Sequence, residues 1–145
     1  MTMESTESAR NANLVRRCIE AMLTADWQTV FNSYATDAIL VDPLLPDPVR
    51  GRNAIVALYQ QCREHEPDMV GEILSLLAAD DKVSVEFRTS GTIQKPFPDM
   101  PETIVGKRVE IQEVNIIQLQ QGQIVSNVIY ADTGALMRQL DLLPT

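Results

Sequence analysis

The sequence has no long apolar run, few basic residues, a single histidine and two cysteines, and each shortage closes off a class of function. Every apolar stretch is cut by Asp, Glu or Gln well short of the ~20 residues that a membrane-spanning helix needs, so no membrane partner is expected. Twelve Lys and Arg against twenty Asp and Glu leave a net charge of −8. The basic residues stand singly apart from Arg16-Arg17 and Lys107-Arg108, so no patch offers a phosphate footprint and nucleic acid is not expected as a partner. Residues 1–10 are polar and lack the basic-then-apolar order of a secretory signal. A mobile start over these ten residues and a cytoplasmic address are the expectation. Cys18 and Cys62 have no His or second Cys at ligand spacing, so no metal is expected. Free buried thiols suit a reducing compartment.

What the chain does have is the size and balance of one globular domain over residues 1–145. At that length one core buries roughly two thirds of the unfolded chain's surface, and no disulfide or metal is needed to hold it. Leu14, Val15, Cys18, Ile19, Met22 and Leu23 recur at helical spacing. After Thr24-Ala25, Asp26 reads as the N-cap of a second, short helix carrying Trp27, Val30, Phe31 and Tyr34 inward. A brief strand over 38–41 runs into Asp42-Pro43, and prolines 43, 46 and 48 make 43–51 an ordered loop. A third helix with Ile55, Leu58, Tyr59 and Cys62 on one face stops before Pro67.

From there the period changes from about 3.6 to 2. Strands over 70–78 and 82–93 meet at Asp80-Asp81, and strands over 107–119 and 123–130 meet at Gln121-Gly122. Between them, 95–106 is a loop broken by three prolines. A last helix over 133–140 presents Leu136, Met137 and Leu140 to the core. Helices, then long antiparallel strands, then a closing helix define an α+β fold, and a sheet covered on one face by amphipathic helices encloses a pocket.

Several segments resemble the SnoaL-like polyketide cyclases of the nuclear transport factor 2-like superfamily. These are Leu14-Val15-Arg16-Arg17 through Ala25, Tyr34-Ala35-Thr36-Asp37-Ala38 leading to Asp42-Pro43, Gly51-Arg52-Asn53-Ala54-Ile55, Gly91-Thr92, and Gly122-Gln123-Ile124 followed by Asp132. The resemblance spans roughly residues 11–143. It implies a cone-shaped curved antiparallel sheet, barrel-like as in cystatin, covered by N-terminal helices around a deep apolar pocket. It also implies a homodimer without a cofactor that acts on a hydrophobic polyketide- or terpenoid-like molecule. The cyclases of that family use an aspartate and a histidine, and the matching positions here are Ile129 and Asn115. The C-terminal part is similar as well to epoxide hydrolases of the limonene epoxide hydrolase type, whose base aspartate matches Asp132 in Tyr130-Ala131-Asp132. That type adds an Arg and an acid two residues apart on the preceding long strand. Here the strand reads Glu86-Phe87-Arg88, the reverse order.

Each candidate residue has a functional and a plain reading. Asp132 is either a cavity base or the N-cap of the last helix. Asp42 either faces the pocket mouth or serves a turn before proline. Glu86 and Arg88 share one face of their strand, where they form an exposed ion pair or, facing inward, orient a substrate. Glu113 and Asn115 alternate among Ile111, Ile117 and Leu119, with Asn127 on the neighbouring strand. A few polar groups in an apolar wall suit a ligand pocket, and a desolvated Glu113 there would exchange a proton near neutral pH. A wet sheet edge or a dimer face is the alternative. His65, in Arg63-Glu64-His65-Glu66, is a surface residue or a ligand contact. Tyr34, Tyr59 and Trp27 are core residues whose polar tips can reach a ligand. The candidates thus divide into catalytic Asp132, Glu113 and Asp42, and substrate-binding Asn115, Asn127, Tyr34, Trp27, Tyr59, Arg88, Glu86, Ile129 and His65. The resulting expectation is a cofactor-free acid–base enzyme of secondary metabolism, a cyclase or isomerase. Its alternatives are an epoxide-opening hydrolase and a dimeric binding module without chemistry.

Overall fold

The computed structural model describes residues 3–143, with side chains from Thr6 onward. The elements run α1 (Met3–Leu23), α2 (Trp27–Ser33), β1 (Tyr34–Val41), β2 (Val49–Arg50), α3 (Arg52–His65), β3 (Val70–Ala79), β4 (Lys82–Thr92), β5 (Arg108–Gln120), β6 (Gln123–Ala131) and α4 (Thr133–Gln139). The fold is α+β, as the change of period predicts. Asp26 caps α2, its carboxylate accepting from Thr29 N at 3.3 Å and Thr29 Oγ1 at 2.6 Å. Asp80 turns the first hairpin with φ of 55°, a left-handed conformation that aspartate tolerates. Gln121 and Gly122 turn the second with φ of 51° and 75°, positive at both central positions as a type I′ turn requires.

Three boundaries depart from the sequence pattern. α1 begins at Met3, well before its apolar stripe, because its polar first half is held by the β3–β4 turn: Asn11 Nδ2 donates to Asp80 O at 3.1 Å and Asp80 N donates to Ser8 Oγ at 3.2 Å. Tyr34 opens β1 rather than closing α2. The proline-rich 43–51 segment contains β2, whose two residues pair with Ile39 and Leu40 at the sheet edge.

The strands form one sheet in the order β2-β1-β6-β5-β4-β3. The ladders are antiparallel except that β1 runs parallel to β6, a departure from the all-antiparallel expectation. Register breaks between Ile73 and Ser75, Gln118 and Leu119, and Tyr34 and Ile39 bend the strands and curve the sheet. On the helix-covered face Val83, Val85, Phe87, Ile117 and Ile129 pack with Val15, Ile19, Val30 and Ile55 into the main core. A second cluster of Ile93, Ile104, Val109, Leu136 and Leu140 closes one end beneath α4. Among the described residues no helix is long and apolar enough to cross a membrane.

Candidate functional site

A pocket of about 120 Å³ opens between the concave sheet face, α3 and the head of α4. Its walls are mostly apolar, with Leu58, Met69, Phe87, Phe97, Ile111 and Ile129 prominent, and its acids are brought together from separate parts of the chain. Asp42 stands just after β1, Glu113 on β5, Asp132 at the head of α4, and Tyr59, Cys62 and Glu66 on or next to α3. An inner extension of about 10 Å³ continues past Met22, Tyr59 and Phe87 to Cys18, Tyr34, Asn115 and Asn127. A larger depression of about 600 Å³ between α1 and the β5–β6 turn is an open surface cleft, remote from these acids.

Local structure explains each placement. Side chains alternate across a strand, so Glu113 and Asn115 share the concave face of β5 with Ile111 and Ile117. Across the ladder, Asn115 faces Ile129 and Glu113 faces Ala131. The positions that resemble the cyclase aspartate and histidine are therefore opposite one another on the pocket wall. Glu113 lies one step along, two residues away from Asn115. Burial pushes the Glu113 carboxyl up to about 7; a hydrogen bond from Asn115 opposes the rise and the Asp42 charge adds to it. Asn115 Nδ2 donates to Glu113 Oε1 at 3.3 Å.

Glu66 is the residue that sequence reasoning missed. It caps the C-terminus of α3, is 4% exposed, and its Oε1 has no hydrogen-bond partner among the described residues. Burial, with a smaller contribution from Asp68, raises it to about 7. The run Arg63-Glu64-His65-Glu66 gives no local sign that one of its acids turns inward. The clue was Gly91: a Cβ there would come within 3.3 Å of Glu66 Cβ, so the absent side chain admits the glutamate. Asp42 is half-buried and raised by desolvation, with Leu44 N donating to Oδ1 at 2.9 Å in opposition. The Cys62 thiol is pushed up to about 12 by burial and then by the charges of Asp42, Glu66 and Glu113, which makes it a poor nucleophile.

The inner end is a chain of neutral hydrogen bonds. Asn127 Nδ2 donates to Tyr34 Oη at 3.1 Å, and the Tyr34 and Tyr59 hydroxyls lie 3.2 Å apart. Both phenols are raised by burial and stay protonated, so they offer hydroxyl donors rather than phenolates.

The structure brings together Asp42, Tyr34, Tyr59, Glu113, Asn115, Asn127, Ile129 and Asp132. Asp132 reaches only the mouth; it is exposed, and Ala135 N donates to its Oδ1 at 2.9 Å, so it caps α4. Glu86 and Arg88 lie outside the pocket, because they alternate with the buried Val85, Phe87 and Thr89 and so project from the outer sheet face. Arg88 pairs there with Glu72 and, at 3.9 Å, with Glu110 rather than with Glu86. His65 also lies outside, bonded through Nδ1 to Lys95 O at 2.9 Å, with its ring centroid 4.9 Å from that of the wall residue Phe97 and tilted 45° to it. Trp27 packs against the main core and does not line the cavity. Among the described residues no three His, Cys, Asp or Glu side chains converge closely enough to hold a metal ion.

A family model of SnoaL-like polyketide cyclases matches residues 12–140. No curated protein matches the sequence. Among solved structures, a protein of Jannaschia sp. CCS1 provisionally assigned as a SnoaL-like polyketide cyclase superposes with a TM-score of 0.85 at 19% identity, covering 99% of this chain and 100% of its own. AclR of Streptomyces galilaeus, provisionally assigned as a hydroxylase, gives 0.79 at 20% identity, with coverages of 95% and 89%. An LEH-like epoxide hydrolase of M. tuberculosis gives 0.73 at 16% identity, with coverages of 92% and 91%. At these identities the structural likenesses establish the fold alone.

Proposed function

Because the chain belongs to the SnoaL-like polyketide cyclase family, we propose that its pocket carries out cofactor-free acid–base chemistry on a hydrophobic small molecule, as a cyclase or isomerase of secondary metabolism. The observation that carries this reading is Glu113, a carboxyl on an apolar wall raised to about 7 by burial. Such a group both takes and returns a proton at working pH, which contributes typically ~10²–10⁴-fold to rate. The substrate class is a terpenoid- or polyketide-like ring with an enolisable carbonyl. Glu113 removes a proton from carbon, while the Tyr59 hydroxyl or the Asn115 amide donates to the developing oxygen charge. A cavity of about 120 Å³ approaches the ~150 Å³ that encloses benzene. One ring therefore sits inside, and a larger substrate extends past Asp42 and Asp132. The free thiols Cys18 and Cys62 fit a cytoplasmic address.

Epoxide opening is the weaker reading, since Arg88 points away from the cavity. Binding without chemistry is favoured by one observation: Ile129 and Asn115 occupy the positions of the cyclase acid and imidazole. The test is conversion of monocyclic and fused-ring β-keto compounds, followed by mass spectrometry, with wild type and Glu113→Gln. Loss of conversion in the variant supports the assignment; full conversion by it removes Glu113 as the base. Compounds bound and recovered unchanged by wild type would instead identify a binding module.

A homodimer through the outer sheet face belongs to the same proposal. Leu77 (71% exposed), Ile116 (40%) and Tyr130 (62%) stand on that face, and a second copy would cover their apolar area. Ile116→Asp should then halve the mass seen by light scattering; an unchanged mass removes this face as the interface.

A further inference from the structure

Glu66 is a buried acid, and among the described residues its Oε1 has no hydrogen-bond partner. The residue as a whole is 4% exposed and lines a pocket that also holds Asp42 and Glu113. Among the described residues no Lys, Arg or His lines that pocket. An unpaired buried carboxylate is costly, and a cluster of them without a counter-charge more so. The placement also works against the helix, because Glu66 sits at the C-terminus of α3, where the macrodipole is negative and favours a cation. Nor is Glu66 placed by accident of a loose loop: its N–H donates to Cys62 O at 3.0 Å, its carbonyl accepts from Met69 N at 3.1 Å, and Gly91 leaves it room. The carboxylates are spread around the wall and do not converge on a metal position. The aromatic side chains of Tyr59, Phe87 and Phe97 line the same pocket.

We propose that the ligand of this pocket carries a protonated amine on its apolar body, with Glu66 as the residue that selects it. The ammonium donates a charge-assisted hydrogen bond to the Glu66 carboxylate, and Asp42 and Glu113 add long-range attraction. Aromatic rings in the wall add attraction where a face meets the charge, and the apolar ring fills the cavity beside Ile111 and Ile129. A neutral alcohol of equal size makes the hydrogen bond but leaves the acidic wall uncompensated. This inference rests on the reading of the pocket as a small-molecule site, and it is independent of whether Glu113 catalyses a reaction.

Isothermal titration calorimetry with benzylamine and benzyl alcohol at about pH 8 tests it, since both wall glutamates, raised to about 7, are then ionised. Wild type should bind the amine at least ~tenfold more tightly than the alcohol. Glu66→Gln should remove most of that preference while keeping its affinity for the alcohol, which also reports an intact pocket. Equal affinities in wild type overturn the amine proposal alone, whether or not the variant folds. So does a preference that survives Glu66→Gln. Failure of wild type to bind either probe overturns the amine proposal and the small-molecule reading together.

Discussion

Asn115 Nδ2 donates to Glu113 Oε1 at 3.3 Å, between two residues that share one face of β5. This bond opposes the burial that raises the Glu113 carboxyl, because a donor stabilises the ionised form. Asn115→Leu keeps the volume and removes the donor. The Glu113 midpoint, read by carbon-detected NMR, should therefore move above its wild-type position near 7. A midpoint that stays put or falls would mean that the amide does not set it.

Stability should decline with pH through the wall acids. Glu113 and Glu66 are each raised from 4.5 to about 7 in the folded chain. The native state therefore holds more protons than the unfolded state between these values, and stability falls as pH rises across that window. Below about 4.5 the stabilising contribution is fully present; above about 7 it is gone. Each acid accounts for up to about 3 kcal/mol on this reckoning. Thermal melts from pH 4.5 to 8 should show a falling Tm, with a shallower slope in Glu113→Gln and in Glu66→Gln. A variant slope equal to wild type would place the proton uptake elsewhere.

Much of this architecture was legible because local chemistry and tertiary packing agree. The period-2 strands, the turns at Asp80 and Gln121-Gly122, and the Asp26 cap each follow from short-range rules. The start of α1 was not legible, because Ser8 and Asn11 are fixed by the β3–β4 turn, some seventy residues away. Within the site, alternation put Glu113 and Asn115 on one wall but could not say which face of β4 looks inward. The buried Val85 and Phe87 decide that, and they leave Glu86 and Arg88 outside. Glu66 has no local signature in the sequence, because its burial depends on Gly91, on the far side of β3 in sequence.

Tyr34 and Asn127 should prove energetically coupled. Tyr34→Phe removes the acceptor for Asn127 Nδ2 and the 3.2 Å bond to Tyr59. Asn127 is 2% exposed and its Oδ1 already has no partner. Its whole amide would then be buried unsatisfied, at a cost of about 1–3 kcal/mol. Asn127→Leu in the Tyr34→Phe background should restore part of that loss, because no orphaned amide remains. Urea unfolding of the two single variants and the double gives the coupling. Additive losses would show that the bond contributes nothing specific.

Asp132 can be separated into its two roles by comparing Asn and Ala. Its Oδ1 accepts from Ala135 N at 2.9 Å at the head of α4, and the side chain is exposed at the pocket mouth. Asparagine caps a helix about as well as aspartate but carries no charge and is no base. Asp132→Asn should therefore leave both stability and conversion near wild type. Asp132→Ala should cost about 1 kcal/mol from the lost cap. Because Leu136 and Leu140 of this segment close the second core cluster, the cost should appear as a lower Tm rather than as a slower reaction in the folded protein. If Asp132→Asn instead loses conversion at unchanged stability, the base is Asp132, and Glu113 acts by orienting or charge alone. The pair of variants therefore decides between a helix cap and a catalytic carboxylate without requiring the natural substrate, so long as one convertible compound is in hand.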